Sequence, residues 1–192
     1  MQYFVTGATG FIGKRLVKAL LARKGAVVHF LLRRESEGKV AELLDYWGTT
    51  KARAVPVFGD LTGKKLGVSA EDLKSLKAAG IDAVFHLAAI YDLTASAQEQ
   101  QAANIDGTKH ALDLAAALKV KCFHHASSIA AAGLYPGVFR EDMFDEAEGL
   151  DDPYLRTKHE SEGLVRAETR VKWRIYRPGM VNLQQYYLEE YL

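Results

Sequence analysis

Tyr154 and Lys158 stand four positions apart in Tyr154-Leu155-Arg156-Thr157-Lys158, which on a helix sets a phenol and an ammonium one turn apart on the same face. An ammonium so placed favours the phenolate and lowers the tyrosine pKa, so the pair suits proton exchange near neutral pH. The spacing alone is not diagnostic. Ser127 and Ser128 supply context, because they follow a strand-like run that ends where ligands of open α/β sheets bind. Either serine by itself reads as an ordinary loop-entry residue. Beside Tyr154 and Lys158, a serine hydroxyl suits a hydrogen bond to a substrate carbonyl while Tyr154 delivers the proton.

A second constellation lies at the amino end. Thr6-Gly7-Ala8-Thr9-Gly10-Phe11-Ile12-Gly13 follows a first apolar run directly and opens an amphipathic segment. Gly7 suits a tight turn, Gly10 lets backbone approach a pyrophosphate, and Gly13 permits a helix to pack closely on a sheet. The helix start adds N–H groups and a positive dipole end for phosphate. Dinucleotide binding is the expectation. Where NAD sites place a carboxylate, at the end of the second strand, this chain reads Phe30-Leu31-Leu32-Arg33-Arg34. Arginine there pairs with a 2′-phosphate, so NADPH is expected over NADH; the alternative is two solvated surface arginines.

These groups need a scaffold. Short runs rich in Val, Ile and Phe alternate with helical-period segments, which is the pattern of βαβ units. Strands are expected near 2–6, 26–32, 53–58, 82–87, 121–127 and 173–177, giving an α/β fold with a doubly wound parallel sheet. A helix over about 10–23 should bury Ile12, Leu16, Ala19 and Leu20 and end at Gly25. Ser69-Ala70-Glu71-Asp72 opens another, closed by Gly80. A third, over about 96–118, should be the crossover before the fifth strand. The long acidic stretch 129–152 has the character of a loop bordering an active site.

A chain of 192 residues with 48% apolar and 26% charged residues fits one globular domain and excludes disordered and disulfide-scaffold classes. A net charge of +1 gives no broad footprint for nucleic acid or an anionic membrane. No apolar run approaches the ~18 residues of a membrane span, and the amino terminus carries no signal pattern, so a cytoplasmic protein is expected. The lone Cys122 reads as a buried packing residue. His124 and His125 should point to opposite faces of a strand, so no metal site is expected. His86 reads as a structural hydrogen-bonding residue, His159 as surface, Trp47 and Trp173 as packing. Asn104 reads equally as a helix bend or as an orienter of site backbone.

Taken in order, Thr6-Gly7-x-x-Gly10-x-x-Gly13, Gly59-Asp60-Leu61-Thr62, His86-Leu87-Ala88-Ala89, Asn104-x-x-Gly107-Thr108, Ser127-Ser128, Tyr154-x-x-x-Lys158 and Arg177-Pro178-Gly179 resemble extended short-chain dehydrogenases/reductases. The resemblance runs to about residue 181. It implies that Asp60 and Leu61 flank an adenine and that Ala88 and Ala89 line the nucleotide cleft. It also implies Tyr154 as proton donor, Lys158 as its partner and ribose ligand, and Pro178 beside the nicotinamide. Ser128 rather than Ser127 is implied as the catalytic hydroxyl, from its distance to Gly133. Ala89-Ile90-Tyr91-Asp92, Ser127 to Gly133, Arg140 to Phe144 and Asp152 to Glu160 look like the amino-terminal reductase half of bacterial fatty acyl-CoA reductases, related to male-sterility-type domains. On that resemblance the substrate is a long-chain acyl-CoA or fatty aldehyde, reduced by NADPH.

Two rivals stand beside it. One is an epimerase, dehydratase or hydroxysteroid-type dehydrogenase of the same superfamily; the other is a non-catalytic NADP-binding module. Residues 1–181 are expected to form the nucleotide domain and 182–192 an atypical tail, with Leu183, Tyr187 and Tyr191 spaced by four. About a hundred residues of substrate cover expected of the family are missing, so the chain alone should bind NADPH with little turnover and leave apolar surface for self-association.

Overall fold

In the computed structural model, which describes residues 1–90 and 95–179, six strands form one wholly parallel sheet in the order β3-β2-β1-β4-β5-β6. They are β1 (Gln2–Thr6), β2 (Val27–Leu32), β3 (Ala54–Phe58), β4 (Ala83–His86), β5 (Cys122–Ala126) and β6 (Trp173–Tyr176). Each coincides with an expected strand to within a residue or two. The motif residues Tyr91 and Asp92, Met180-Val181 and the 182–192 tail lie outside the described residues.

The order reverses between β1 and β4, where the chain crosses from one side of the sheet to the other, and such a switch point opens a crevice at the carboxyl ends of the strands. Among the described residues six α-helices cover the faces: α1 (Phe11–Leu21), α2 (Val40–Trp47), α3 (Ala70–Ala79), α4 (Ala97–Gln100), α5 (Gly107–Leu118) and α6 (Pro153–Arg166). Alternation along the strands divides the core in two. Tyr3, Val5, Val28 and Phe30 pack with Val17, Leu20, Leu43 and Trp47 of α1 and α2. Phe4, Val84 and Phe123 pack with Leu76, Leu112, Leu114 and Val165 of α3, α5 and α6. Burying each such side chain contributes roughly 1.5–3 kcal/mol. Among the described residues no helix is long and apolar enough to cross a membrane.

Several local expectations are corrected. The buried stripe of α1 is Gly13, Val17, Leu20 and Leu21, while Ile12 is 43% exposed. The reason is Gly13: a Cβ there would sit 2.0 Å from the Gly7 carbonyl oxygen, so the helix is rotated to press Gly13, not Ile12, on the turn. Ala22 caps α1, and Gly25, at φ +70°, serves the turn into β2 instead. The helix expected over 96–118 is interrupted by a π-helical turn, Gln101–Asp106, between α4 and α5. Cys122 is half-buried, not buried. His159 is half-buried rather than free on the surface: it bonds the Ala131 carbonyl at 2.9 Å and stacks on Phe144 at 4.2 Å. Ser69 and Gly80 cap α3 as expected, Ser69 Oγ accepting from the Asp72 N–H at 3.0 Å.

Candidate functional site

The amino-terminal turn is built by two glycines. Gly7 adopts φ +72°, and a Cβ on it would lie 2.7 Å from the Ala88 backbone nitrogen, so the turn and the Ala88 segment approach as only glycine permits. The Gly10 N–H closes the turn on the Gly7 carbonyl at 3.1 Å. Thr9, Gly10 and Ile12 are exposed and Phe11 half-exposed around the start of α1, at the mouth of the crevice. This cradle fits a dinucleotide pyrophosphate: small residues, close backbone and a helix N-terminus converge on one spot.

Thr6 anchors the cradle to the sheet. Its hydroxyl accepts from the N–H groups of Leu87 and Ala88, both at 3.2 Å, and meets His86 Nδ1 at 2.8 Å. Thr108 Oγ1 donates to the Asn104 carbonyl at 2.7 Å and lies 3.1 Å from His86 Nε2. Because the Thr108 proton is committed, His86 Nε2 donates to Thr108 and Nδ1 accepts from Thr6. Burial pushes the His86 pKa down to about 3, with the Lys158 charge adding to it, so the ring is a neutral strut.

Beyond the ends of β2 and β3 lies a hollow of about 520 Å³ bordered by Arg33, Arg34, Phe58, Gly59 and Asp60. The Arg34 guanidinium lies 3.8 Å from the Phe58 ring centroid, a stacking geometry lysine cannot reproduce. Asp60 accepts from the Thr62 N–H and hydroxyl at 2.8 and 2.6 Å; these bonds, with Arg33 nearby, hold its carboxyl below the usual range. Leu61 packs against Gly107 at the start of α5, and its carbonyl meets His110 Nδ1 at 2.8 Å.

At the other end, Asp152 caps α6 and Pro153 occupies its first turn. The Asp152 carboxylate accepts from the Tyr154 and Leu155 N–H groups at 2.9 and 3.0 Å, which fixes Tyr154 in that turn. Tyr154, Lys158 and Glu162 then follow at four-residue steps along one face. Lys158 is 5% exposed and donates to the Ala126 carbonyl at 3.3 Å, tying α6 to the end of β5. Burial lowers the Lys158 pKa to about 8, with Glu162 pulling it back up. Ser128, half-exposed, caps the 3₁₀ turn Ile129–Ala132 by accepting from the Ala130 N–H at 3.1 Å. Ser127 is buried and donates to Glu162 at 2.6 Å.

Asn104 lies at a helix distortion and bonds the Ile90 backbone. It sits in the π-turn, and its side chain accepts from the Ile90 N–H at 2.8 Å while donating to the Ile90 carbonyl and to Thr157 Oγ1, both at 3.2 Å. Thr157 in turn donates to the Tyr154 carbonyl at 3.1 Å. One amide thus joins the segment after Ala88 and Ala89 to the turn bearing Tyr154. Pro178, following β6, accepts from the Ile129 N–H at 3.2 Å and borders a cleft of about 1060 Å³ with Phe85, Leu87, Ile129, Phe139 and Tyr176.

Glu162 and its partners Arg166 and Arg177 carry a buried ion cluster that the residue pattern did not single out. The available signal was the four-residue step from Lys158. His125, read from the sequence only as one of two histidines on opposite strand faces, is 2% exposed, and neither ring nitrogen meets a protein partner.

Residues 5–187 match the NAD-binding family described as male sterility protein. The chain belongs to that family. It carries the NAD(P)-binding fold of the extended short-chain dehydrogenases/reductases. It is 33% identical over 190 residues to a linear gramicidin synthase of Brevibacillus parabrevis, covering 91% of this chain and 4% of that protein. A Drosophila melanogaster protein named as a fatty acyl-CoA reductase is 32% identical over 142 residues, covering 65% of this chain and 27% of its own length. The crystal structure of the terminal R domain from the myxalamid PKS-NRPS pathway superposes with a TM-score of 0.80 at 30% identity, over 94% of this chain and 49% of that one. UDP-glucuronic acid 4-epimerase from Bacillus cereus in complex with NAD gives 0.73 at 26% identity, over 94% of this chain and 57% of that one. The male-sterility-type domain thus spans about half the length of these solved structures, and less of the curated relatives.

Proposed function

We propose that this male-sterility-type domain serves an NADPH-dependent reductase of acyl thioesters, with a long-chain acyl-CoA or the derived fatty aldehyde as substrate. The reading is carried by one juxtaposition: the Gly7 cradle follows β1 at the switch point, while Ser128 and the Lys158-bonded Ala126 lie at the end of β5, on the same carboxyl edge of the sheet. A reduced nicotinamide supplies the hydride. The chain's own residues do the rest.

Thr6, Gly7, Gly10 and Gly13 shape the pyrophosphate seat, with Thr9, Phe11 and Ile12 at its rim. Ala88, Ala89 and the Asn104-held backbone line the crevice, and Pro178 backs the nicotinamide. Asp60 and Leu61 flank the adenine, and Arg33 and Arg34 pair with the 2′-phosphate that distinguishes NADPH. Lys158 contacts the ribose and favours the Tyr154 phenolate. Ser128 donates to the carbonyl oxygen, which gains negative charge as hydride reaches the carbon, and Tyr154 protonates that oxygen. For a thioester, the thiohemiacetal so formed collapses: the C–S bond breaks as its hydroxyl gives back the proton, the leaving thiolate takes that proton up and an aldehyde is released.

A carrier-protein thioester in place of acyl-CoA is the second reading, favoured by the 33% identity to the gramicidin synthase. Following NADPH oxidation with palmitoyl-CoA, a fatty aldehyde, a carrier-bound acyl group and nucleotide sugars separates these. Oxidation with either thioester supports the reductase. Conversion of a nucleotide sugar, with no thioester consumed, would sink it in favour of an epimerase or dehydratase. Cofactor binding with no turnover of any of the four by a longer protein that carries a substrate cover would favour a non-catalytic module.

A further inference from the structure

Glu162 is a fully buried carboxylate in the middle of α6. It accepts from Ser127 Oγ at 2.6 Å, Arg177 Nε at 3.0 Å, Arg177 Nη2 at 2.5 Å and Arg166 Nε at 2.8 Å. The two guanidiniums extend the contact outward. Arg177 donates to the carbonyls of Arg140 and Met143 at 3.0 and 2.7 Å and lies over Phe139. Arg166 donates to the Glu141 carbonyl at 3.5 Å and lies over Phe144. Phe139 and Glu141 border the cleft. An ion cluster of this kind is a poor way to gain stability, since well-packed apolar groups of the same volume often serve as well or better. Its geometry instead links three parts of the site.

We propose that Glu162 is the positioning residue of this centre: one carboxylate fixes the Ser127–Ser128 strand end, keeps a negative charge one turn from Lys158 and ties the Phe139–Phe144 segment to α6. The inference rests on the acid–base assignment of Tyr154 and Lys158. The groups facing Lys158 make the charge matter. His86 on β4 and His125 on β5 are buried rings whose pKa values burial pushes far down, so both are neutral at physiological pH. The π-turn packs on α6 through Asn104, which is neutral and bonded to Thr157, and on α5 Asp113 is taken by Arg170 at 2.9 Å. Tyr154 and Glu162 face it from its own helix. For Glu162 itself, burial would raise the pKa, but the bonds from Arg177, Ser127 and Arg166 outweigh it and keep the group ionised.

The test is a pH titration of Lys158 in the whole chain, read by NMR of carbon-13-labelled lysine and assigned with Lys158→Arg, beside NADPH binding over the same pH range. In Glu162→Gln the Lys158 midpoint falls by at least about half a pH unit, and the alkaline limb of NADPH binding falls with it. Glu162→Asp, which restores the charge, returns the midpoint towards the parent value. An unmoved midpoint in folded Glu162→Gln, or uniformly weaker binding with its limb in place, overturns the proposal. If Glu162→Gln does not fold, Arg166→Gln replaces it: the carboxylate is then less neutralised and Lys158 titrates higher, and no displacement overturns the proposal. A parent chain that binds no NADPH at any pH would defeat the reductase reading alone, because the Lys158 titration still decides the role of Glu162.

Discussion

Ser127 and Ser128 are consecutive, yet their hydroxyls do opposite work: Ser127 Oγ donates to the buried Glu162 carboxylate at 2.6 Å, while Ser128 Oγ accepts from the Ala130 N–H at 3.1 Å and keeps its proton available. The two alanine variants should therefore separate. Ser128→Ala should lower kcat/KM for thioester or aldehyde reduction about 10²–10³-fold, the loss expected for one oxyanion donor. Its stability cost should be about 1 kcal/mol, from the lost cap. Ser127→Ala should cost more stability, about 1–3 kcal/mol, because it strips a donor from a buried charge. Urea unfolding and steady-state kinetics on both variants check this. A reversed ranking in the kinetics would move the catalytic hydroxyl to Ser127.

Lys158 should be a functional residue that costs stability. Its pKa in the folded chain is about 8, against 10.5 in the unfolded one. Between those values the unfolded chain binds more protons, so stability rises with pH through that window and is lower by the full amount below it. Lys158→Met should raise stability at neutral pH by about 1–3 kcal/mol, flatten the alkaline rise and weaken NADPH binding. Equal stability of variant and parent from neutral to alkaline pH would refute the cost.

On the acid side the buried imidazoles dominate. His86 stays neutral down to about pH 3 and His125 is likewise depressed from 6.5, both first by burial. As pH falls below 6.5 the unfolded chain takes up protons that the folded one refuses, so stability declines. His125→Phe should remove part of that decline. It should also be neutral to stabilising by about 1–2 kcal/mol at neutral pH, since both ring nitrogens lack a protein partner and Phe123 lies beside the ring. Unfolding measured from neutral to mildly acidic pH is the check.

Cofactor choice should reside in the hollow beside Phe58. Arg33→Ala and Arg34→Ala should each raise the Kd for NADPH by about tenfold and leave NADH within about twofold. Arg34→Lys should behave more like alanine than like arginine, because the stacked plane over Phe58 is lost. Equal affinity of the parent for both cofactors would refute the 2′-phosphate assignment.

What could be read from the residues divides along physical lines. The strands were legible because runs such as Val27 to Leu32 are apolar on both faces, the mark of a doubly covered sheet. The Gly7 cradle was legible because its demands fall on backbone, which glycine reveals. The buried stripe of α1 was legible only in part: Leu20 lies on it, but the close approach of Gly13 to the Gly7 carbonyl favours the side bearing Val17 and Leu21 and leaves Ile12 exposed. The π-turn was hidden, since Gln101, Ala102 and Ala103 suit a helix and the distortion accompanies bonds from Asn104 to Ile90 and Thr157. Glu162 looked like one more charge in a charged helix. Its burial depends on Ser127 and Arg177, far along the chain, and no local window contains them.

The wide turn at Gln101–Asp106 also makes chain length carry information. An α-helix advances about 100° per residue, so deleting Ala102 and restoring ordinary pitch would swing Asn104 away from Ile90 and Thr157 while leaving every side chain type intact. The stretch 134–138 can be lengthened at little cost, since Leu134 and Val138 are 70% and 78% exposed and it precedes the Phe139–Phe144 segment that Arg166 and Arg177 hold. A single-residue deletion in the first place should disable the centre more thoroughly than several insertions in the second. The count of residues there is as much a part of the site as the residues themselves.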